Sequence, residues 1–132
     1  MVSYEQNTIP GNTKLIKLFF PKQLHNVFIK DQYDIEVSYL EGPTARILSG
    51  CCSPSTKLIN WVHVEQRTPG QTSASFRNGK EAEHRYGRFD RHIFVAETVK
   101  GDSLSIFPNE EEKFCDILYK MTDVLSWFLL EP

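Results

Sequence analysis

The chain has 132 residues, of which 40% are hydrophobic, and its 15 basic and 17 acidic side chains give a formal net charge of −2. A chain of this length, with 9 Phe, 5 Tyr and 2 Trp, can bury one hydrophobic core, which argues against global disorder. The near-neutral charge argues against a generally basic nucleic-acid-binding protein but leaves room for a local basic stripe. We therefore expect a single domain over residues 1–132.

The sequence carries no recognisable targeting or membrane segment. The first residues lack a basic region followed by a long apolar run, so no signal peptide is predicted. The apolar run Leu15–Phe20 is far shorter than the roughly 20 residues that span a bilayer. Three cysteines without CxxC spacing indicate a reduced protein rather than a disulfide framework. These features predict a cytoplasmic location without membrane contact.

The first half of the chain is predicted to consist of strands and turns. The segment Ile35–Tyr39 alternates apolar and polar side chains, which is typical of a half-buried strand. The other predicted elements are an irregular N-terminal arm over 1–13, a strand over Lys14–Phe20, a strand or turn over Leu24–Lys30, and a return strand over Ala45–Leu48 after a turn at 41–44.

Two hairpins are predicted in the second half. After a loop over Ser49–Ser55 and a strand over Leu58–Gln66, the pair Asn78-Gly79 is a strong two-residue hairpin signal, joining 72–77 to 80–86. Lys100-Gly101-Asp102 predicts a second hairpin, between strands over Arg91–Val99 and Ser103–Phe107.

The end of the chain predicts one long helix over 109–130. Asn109 is a good N-cap, and Glu110 to Glu112 fill the first turn, where the helix dipole favours negative charge. Apolar residues then recur at helical spacing: Phe114, Ile117, Leu118, Met121, Val124, Leu125 and Phe128. We therefore predict an α+β fold, a curved antiparallel or open barrel-like sheet packed by a C-terminal amphipathic helix. Apolar residues off this stripe suggest a homodimer through the helix: Tyr119, Trp127, Leu129 and Leu130.

No catalytic, metal or cofactor motif is found. The four histidines and three cysteines show no metal-ligand spacing, and glycine-rich phosphate loops are absent. Cys51 or Cys52 could be a reactive thiol, but an ordinary loop cysteine is the preferred interpretation. We therefore predict no catalytic residue, no metal and no cofactor, and we lean towards a protein that is not an enzyme.

Basic and aromatic residues are concentrated between residues 67 and 92, where six basic side chains stand against three acidic ones. Such a segment is typical of a protein-binding hot spot, and aromatic rings in a cationic groove also bind single-stranded nucleic acid. A third interpretation also remains open, in which the segment is solvated and has a purely structural role. The candidate binding residues are Arg77, Lys80, Arg85, Tyr86, Arg88, Phe89, Arg91 and His92.

The leading hypothesis is a small non-enzymatic protein that acts through protein contacts at region 72–92. The alternative is a single-stranded nucleic-acid-binding protein that uses the same stripe. A third hypothesis is a metal-independent nuclease or phosphoesterase, in which His92 and the arginines Arg85, Arg88 or Arg91 would act on a phosphate.

Overall fold

The fold is described from a computed structural model that covers residues 16–39, 42–63 and 68–115. Short helices alternate with short strands along these ranges, which is the pattern of an α/β protein. In chain order the elements are α1 (Pro21–Phe28), β1 (Ile35–Ser38), α2 (Pro43–Leu48), β2 (Lys57–Val62), α3 (Pro69–Thr72), α4 (Gly79–Tyr86), β3 (Arg91–Phe94), α5 (Glu97–Ile106), a 3₁₀ helix (Pro108–Lys113) and β4 (Phe114–Cys115).

The strands form one parallel sheet in the order β1-β2-β3-β4. Val37 lies opposite Ile59, and Ile59 lies opposite Arg91. Parallel neighbours cannot be joined by tight hairpins, so each connection must cross over, and here helices make every crossover. The predicted antiparallel or barrel-like sheet is therefore wrong, while the predicted strands at 35–39 and 58–66 are confirmed over Ile35–Ser38 and Lys57–Val62.

Proline residues begin three of the α-helices. Pro21, Pro43 and Pro69 each stand in the first turn, where the missing N–H has no helical partner to lose and the fixed φ suits the helix. The predicted return strand Ala45–Leu48 is wrong, because these residues belong to α2. The segment Leu24–Lys30, predicted as strand or turn, lies mostly in α1.

The Asn78-Gly79 pair begins a helix instead of turning a hairpin. The Asn78 side chain accepts a hydrogen bond of 2.9 Å from the backbone N–H of Glu81 and so caps α4. The same small polar residues suit a type I′ turn and a helix N-terminus, and here the helix forms. The second predicted hairpin is also wrong, because only Arg91–Phe94 is a strand and Gly101 lies inside α5.

The predicted helix over 109–130 is wrong where the structure describes it. Pro108–Lys113 is a 3₁₀ helix, and Phe114–Cys115 pairs with β3 as a strand. The remainder of that prediction, residues 116–130, lies outside the described residues. So do the proposed dimer residues, the N-terminal arm and positions 64–66.

The main core lies between the sheet and the helices α1, α2 and α4. It includes Leu24 of α1, Ile47 of α2, Leu58 of β2 and Tyr86 of α4. A smaller cluster, centred on Ile59 and Ile93, joins the alternate side chains of β2 and β3. Among the described residues, no helix has the length and apolar character needed to cross a membrane.

A close backbone contact joins the end of α2 to the start of α1. A Cβ added at Gly50 would meet the carbonyl group of Pro21 and would lie 2.6 Å from the backbone nitrogen of Lys22. Since backbone atoms cannot swing aside as a flexible side chain can, only glycine allows this approach.

We expect Gly50→Ala to lower the free energy of unfolding by about 1–3 kcal/mol, the usual cost of overpacking. The matched control is Gly101→Ala, because a Cβ at Gly101 meets nothing within 4 Å and the residue lies in the middle of a helix. That control should raise the stability by about 0.5–1 kcal/mol. Urea denaturation of the two variants measures both effects, and a Gly50→Ala protein as stable as wild type would contradict the close contact.

Candidate functional site

The eight candidate binding residues divide between the core and the surface. Tyr86, Phe89 and His92 are buried. Arg77, Lys80 and Arg88 are exposed, and the remaining two arginines are half-buried. The three aromatic rings therefore pack inside the domain and do not form an outward-facing platform.

The arginines of this region donate hydrogen bonds to backbone carbonyls. Arg85 reaches the carbonyl of Ser49 at 3.4 Å, and Arg88 reaches that of Cys51 at 2.8 Å. Burial, together with the nearby charge of Arg88, lowers the pKa of the Arg85 guanidinium. These two side chains therefore hold the loop that follows α2.

A further arginine, which the sequence analysis did not select, is the most deeply buried cation in the described part of the chain. Arg46 of α2 is 0% exposed and donates to the carbonyls of Ile16 and Phe19, the latter at 2.9 Å. It also pairs with the Glu81 carboxylate at 3.0 Å. The sequence signal was an arginine inside the otherwise apolar run Ala45–Leu48, which alone does not distinguish a buried cation from an exposed one.

Arg77 makes a similar set of contacts from the surface. Its Nε donates to the carbonyl of Lys17 at 2.9 Å, and a terminal nitrogen donates to that of Leu18 at 3.4 Å. Its guanidinium carbon lies 4.8 Å from the centre of the Phe20 ring, within the range of a cation–π interaction. Arg77 thereby holds the segment that precedes α1.

Glu81 connects the two arginines. One carboxylate oxygen pairs with Arg46, and the other accepts from the backbone N–H of Arg77 at 2.6 Å. Burial alone would raise the pKa of this carboxyl, but the hydrogen bonds from Arg77 and Arg46 outweigh it, so the pKa is lowered. Glu81 therefore stays ionised and keeps both arginines in place.

The segment held by these arginines exposes three large apolar side chains in succession. Leu18 is 69% exposed, Phe19 52% and Phe20 59%. We call Leu18–Phe20 the apolar turn. A contiguous exposed apolar group of this kind is a candidate for an interaction site.

A second group of functional side chains lies beneath α1. His25 of α1 and Glu36 of β1 form a buried pair, with Nε2 and Oε2 2.8 Å apart. Cys51 completes a buried cluster in which one ligand atom from each residue lies within 4.8 Å of the other two. We call these three residues the thiol cluster; they could hold a metal ion.

The Cys51 thiol is not an activated nucleophile in this setting. Burial raises its pKa, a hydrogen bond with the Ser53 backbone opposes the rise, and the Glu36 charge adds to it. Nucleophilic cysteines instead have lowered pKa values, because the thiolate is the reactive form. The structure therefore offers no support for the reactive-thiol interpretation at Cys51.

A third polar group surrounds His92 in β3. The Asn60 amide donates to its Nδ1 at 3.2 Å, and its Nε2 lies 3.8 Å from a carboxylate oxygen of Glu110. Burial lowers the pKa of His92, so the imidazole is neutral at neutral pH. The small cavity beside it measures about 20 Å³, which is room for about one water molecule and not for a phosphate substrate.

Comparison of the chain with protein-family models, with curated proteins and with solved structures finds no match in any of the three. Function must therefore be inferred from the apolar turn and the thiol cluster themselves. Each offers a different chemistry: the first an exposed apolar contact, the second a set of ligand atoms.

The ionisation of Glu110 makes the free energy of unfolding depend on pH in the acid range. The pKa of the Glu110 carboxyl is lowered to about 2. His92 makes the largest contribution, burial opposes the shift, and Lys113, whose Nζ lies 2.9 Å from Oε2 of Glu110, lowers the pKa further. Because a glutamate in an unfolded chain has a pKa of about 4.3, ionised Glu110 stabilises the fold above that pH. This contribution is lost as the pH falls towards 2.

We expect Glu110→Gln to be less stable than wild type at pH 7 and to converge with it as the pH falls from about 4.5 to about 2. Urea denaturation at a series of pH values measures the two profiles. The control is Glu111→Gln, at an exposed neighbouring position, which should follow the wild-type profile. Parallel profiles for Glu110→Gln and wild type over the whole range would contradict the role given to Glu110.

Proposed function

We propose that this protein is a non-enzymatic binding protein that acts through contacts with another protein, and that its contact surface is centred on the apolar turn and Arg77. The observation that carries the proposal is the rigid display of three exposed apolar side chains, Leu18, Phe19 and Phe20. Large apolar side chains and arginine are the groups that dominate binding energy at protein interfaces.

The backbone of the apolar turn is ordered before any partner arrives. Arg46 holds the carbonyls of Ile16 and Phe19, and Arg77 holds those of Lys17 and Leu18. Four successive carbonyls thus accept hydrogen bonds from two guanidinium groups. Because this order already exists in the free protein, binding does not bear the entropy cost of fixing a loop.

The charges around the turn indicate the chemistry of the partner. Lys17 and Lys22 flank the turn in the sequence, and Arg77 lies over the Phe20 ring. The nearby acid, Glu81, is already occupied by Arg46 and by the Arg77 backbone. Electrostatic complementarity therefore favours a protein segment that places acidic side chains beside an apolar anchor.

The proposed function is still protein contact, but the contact surface is now centred on the apolar turn instead of region 72–92. Among the candidate residues of region 72–92, Arg77 contacts the apolar turn directly. The apolar turn itself had been predicted to be part of the strand Lys14–Phe20. The single-stranded nucleic-acid alternative needs exposed rings for base stacking, and Tyr86, Phe89 and His92 are buried. Region 72–92 therefore offers no stacking platform for bases, and the exposed rings of Phe19 and Phe20 are tested below against both kinds of partner.

A phage-displayed random peptide library, selected on the immobilised full chain, provides the probe for a test. We expect the selected peptides to combine acidic residues with a large apolar side chain. Fluorescence anisotropy with synthetic copies of these peptides then measures their affinity for each variant. Leu18→Ser and Phe19→Ser should each weaken binding at least tenfold, which corresponds to about 1.4 kcal/mol.

Val27→Ser is the matched control, because Val27 is 60% exposed on α1 and takes the same kind of substitution. It should bind the peptides as wild type does, and thermal unfolding should show all three variants folded. Equal binding by Leu18→Ser, Phe19→Ser and wild type would overturn the proposal. So would a failure to select peptides while a fluorescent oligothymidine binds with the steep salt dependence of phosphate contacts.

A further inference from the structure

We infer that His25, Glu36 and Cys51 form a zinc-binding site, a function independent of the apolar turn. The zinc site and the apolar turn are separate sites, because the thiol cluster lies beneath α1 and is buried, whereas the apolar turn is exposed. It does differ from the expectation that the chain holds no metal, which was based on the spacing of His and Cys in the sequence.

The three ligand atoms are close to the arrangement that a tetrahedral ion requires. With Zn–N and Zn–O distances of roughly 2.1 Å and a Zn–S distance of roughly 2.3 Å, tetrahedral ligands stand roughly 3.4–3.6 Å apart. The His25–Glu36 pair, at 2.8 Å, must open slightly, and the cluster as a whole already lies within 4.8 Å. The separations of the ligand atoms therefore need to change by about 1 Å or less for an ion to be bound.

The mixture of donor atoms selects the kind of ion. A thiolate is too soft for Mg²⁺ or Ca²⁺, which take oxygen ligands almost exclusively. A set of imidazole, carboxylate and thiolate suits the borderline ion Zn²⁺, which binds sulfur, nitrogen and oxygen in one tetrahedral shell. The cluster contains one donor of each kind, so zinc is the ion that fits best.

The loop that carries Cys51 is fixed in place by contacts with its backbone. Arg88 holds the carbonyl of Cys51 at 2.8 Å, and Arg85 holds that of Ser49 at 3.4 Å. The contact of Gly50 with Pro21 brings the same loop against the start of α1, the helix that carries His25. These contacts keep the sulfur and the imidazole together without help from an ion, so the site is preorganised.

An open pocket of about 260 Å³ adjoins the cluster and provides access for an ion. His25, Glu36 and Cys51 lie in its wall together with Ser53 and Thr56. Three protein ligands beside an open space leave the fourth position of a tetrahedral ion to water or to a small ligand. The site therefore differs from closed structural zinc sites, which use four protein ligands.

The test uses the full chain, stripped of metal with a chelator and titrated with Zn²⁺ against a chromophoric competitor. We expect one zinc ion per chain, and a rise in the unfolding temperature because the ion binds the folded state. Cobalt(II) in place of zinc should give a thiolate-to-metal charge-transfer absorption. Cys51→Ser should abolish this absorption and weaken zinc binding about a hundredfold or more, since even outer partners of metal ligands contribute tenfold to a hundredfold.

The control is Cys52→Ser, which removes the adjacent exposed thiol and should leave stoichiometry, affinity and absorption unchanged. Glu36→Gln is the second test variant, because it keeps the size of the side chain and one acceptor oxygen and removes its charge; it should weaken zinc binding at least tenfold. If Cys51→Ser fails to fold, Glu36→Gln decides the question. Absence of zinc binding by wild type, equal binding by Glu36→Gln, or loss of the absorption in Cys52→Ser would overturn the site.

Discussion

The buried guanidinium of Arg46 is the interaction on which the described part of the structure depends. A cation removed from water must be fully engaged, because an unpaired buried charge costs several kcal/mol. Arg46 comes close to this requirement by drawing three groups together, the carbonyls of Ile16 and Phe19 and the carboxylate of Glu81, while its buried Nε has no hydrogen-bond partner. The segment before α1, the helix α2 and the helix α4 must therefore lie in one arrangement. Because desolvation offsets much of the attraction in such a pair, its presence is weak evidence of added stability.

The end of α2 applies the same constraint to the other side of the molecule. Gly50 lets the chain approach the carbonyl of Pro21, and the adjoining carbonyls of Ser49 and Cys51 are held by Arg85 and Arg88. Carbonyls at a helix C-terminus carry partial negative charge, so guanidinium groups are favourable partners there. As a result the loop bearing Cys51 cannot turn towards solvent without breaking contacts with both α1 and α4.

The strands β1, β2 and β3 could be predicted from the sequence, but β4, which was predicted as helix, and the pairing of the strands could not. Period-two alternation identifies Ile35–Tyr39 because each strand residue faces opposite to the next. The helices between the strands are too short for a 3.6-residue period to stand out, since α2 has six residues and α4 has eight. Their first residues, Pro43 and the pair Asn78-Gly79, are also typical turn residues. Local sequence therefore suggested hairpins, and hairpins imply antiparallel pairing.

The candidate sites were hidden for a related reason. His25, Glu36 and Cys51 are 11 and 15 residues apart in the chain, and only the parallel sheet with its crossovers brings them together. The apolar turn looked like part of a strand because nothing in its own sequence reveals the two distant arginines that hold it. Patterns within a window of residues report local geometry, whereas both sites depend on contacts between separate elements.

The concentration of basic residues in the middle of the chain now has a physical explanation. Arg77, Arg85, Arg88 and Arg91 each donate to a backbone carbonyl, as Arg46 does from α2. Guanidinium is suited to this role because it stays charged and offers five donors in a fixed plane. A local excess of arginine therefore need not indicate an anionic partner, since these charges satisfy carbonyls in segments that lack regular pairing. The arginines hold the apolar turn and the loop that carries Cys51 of the thiol cluster. At these two places the chemistry of this protein is available to other molecules.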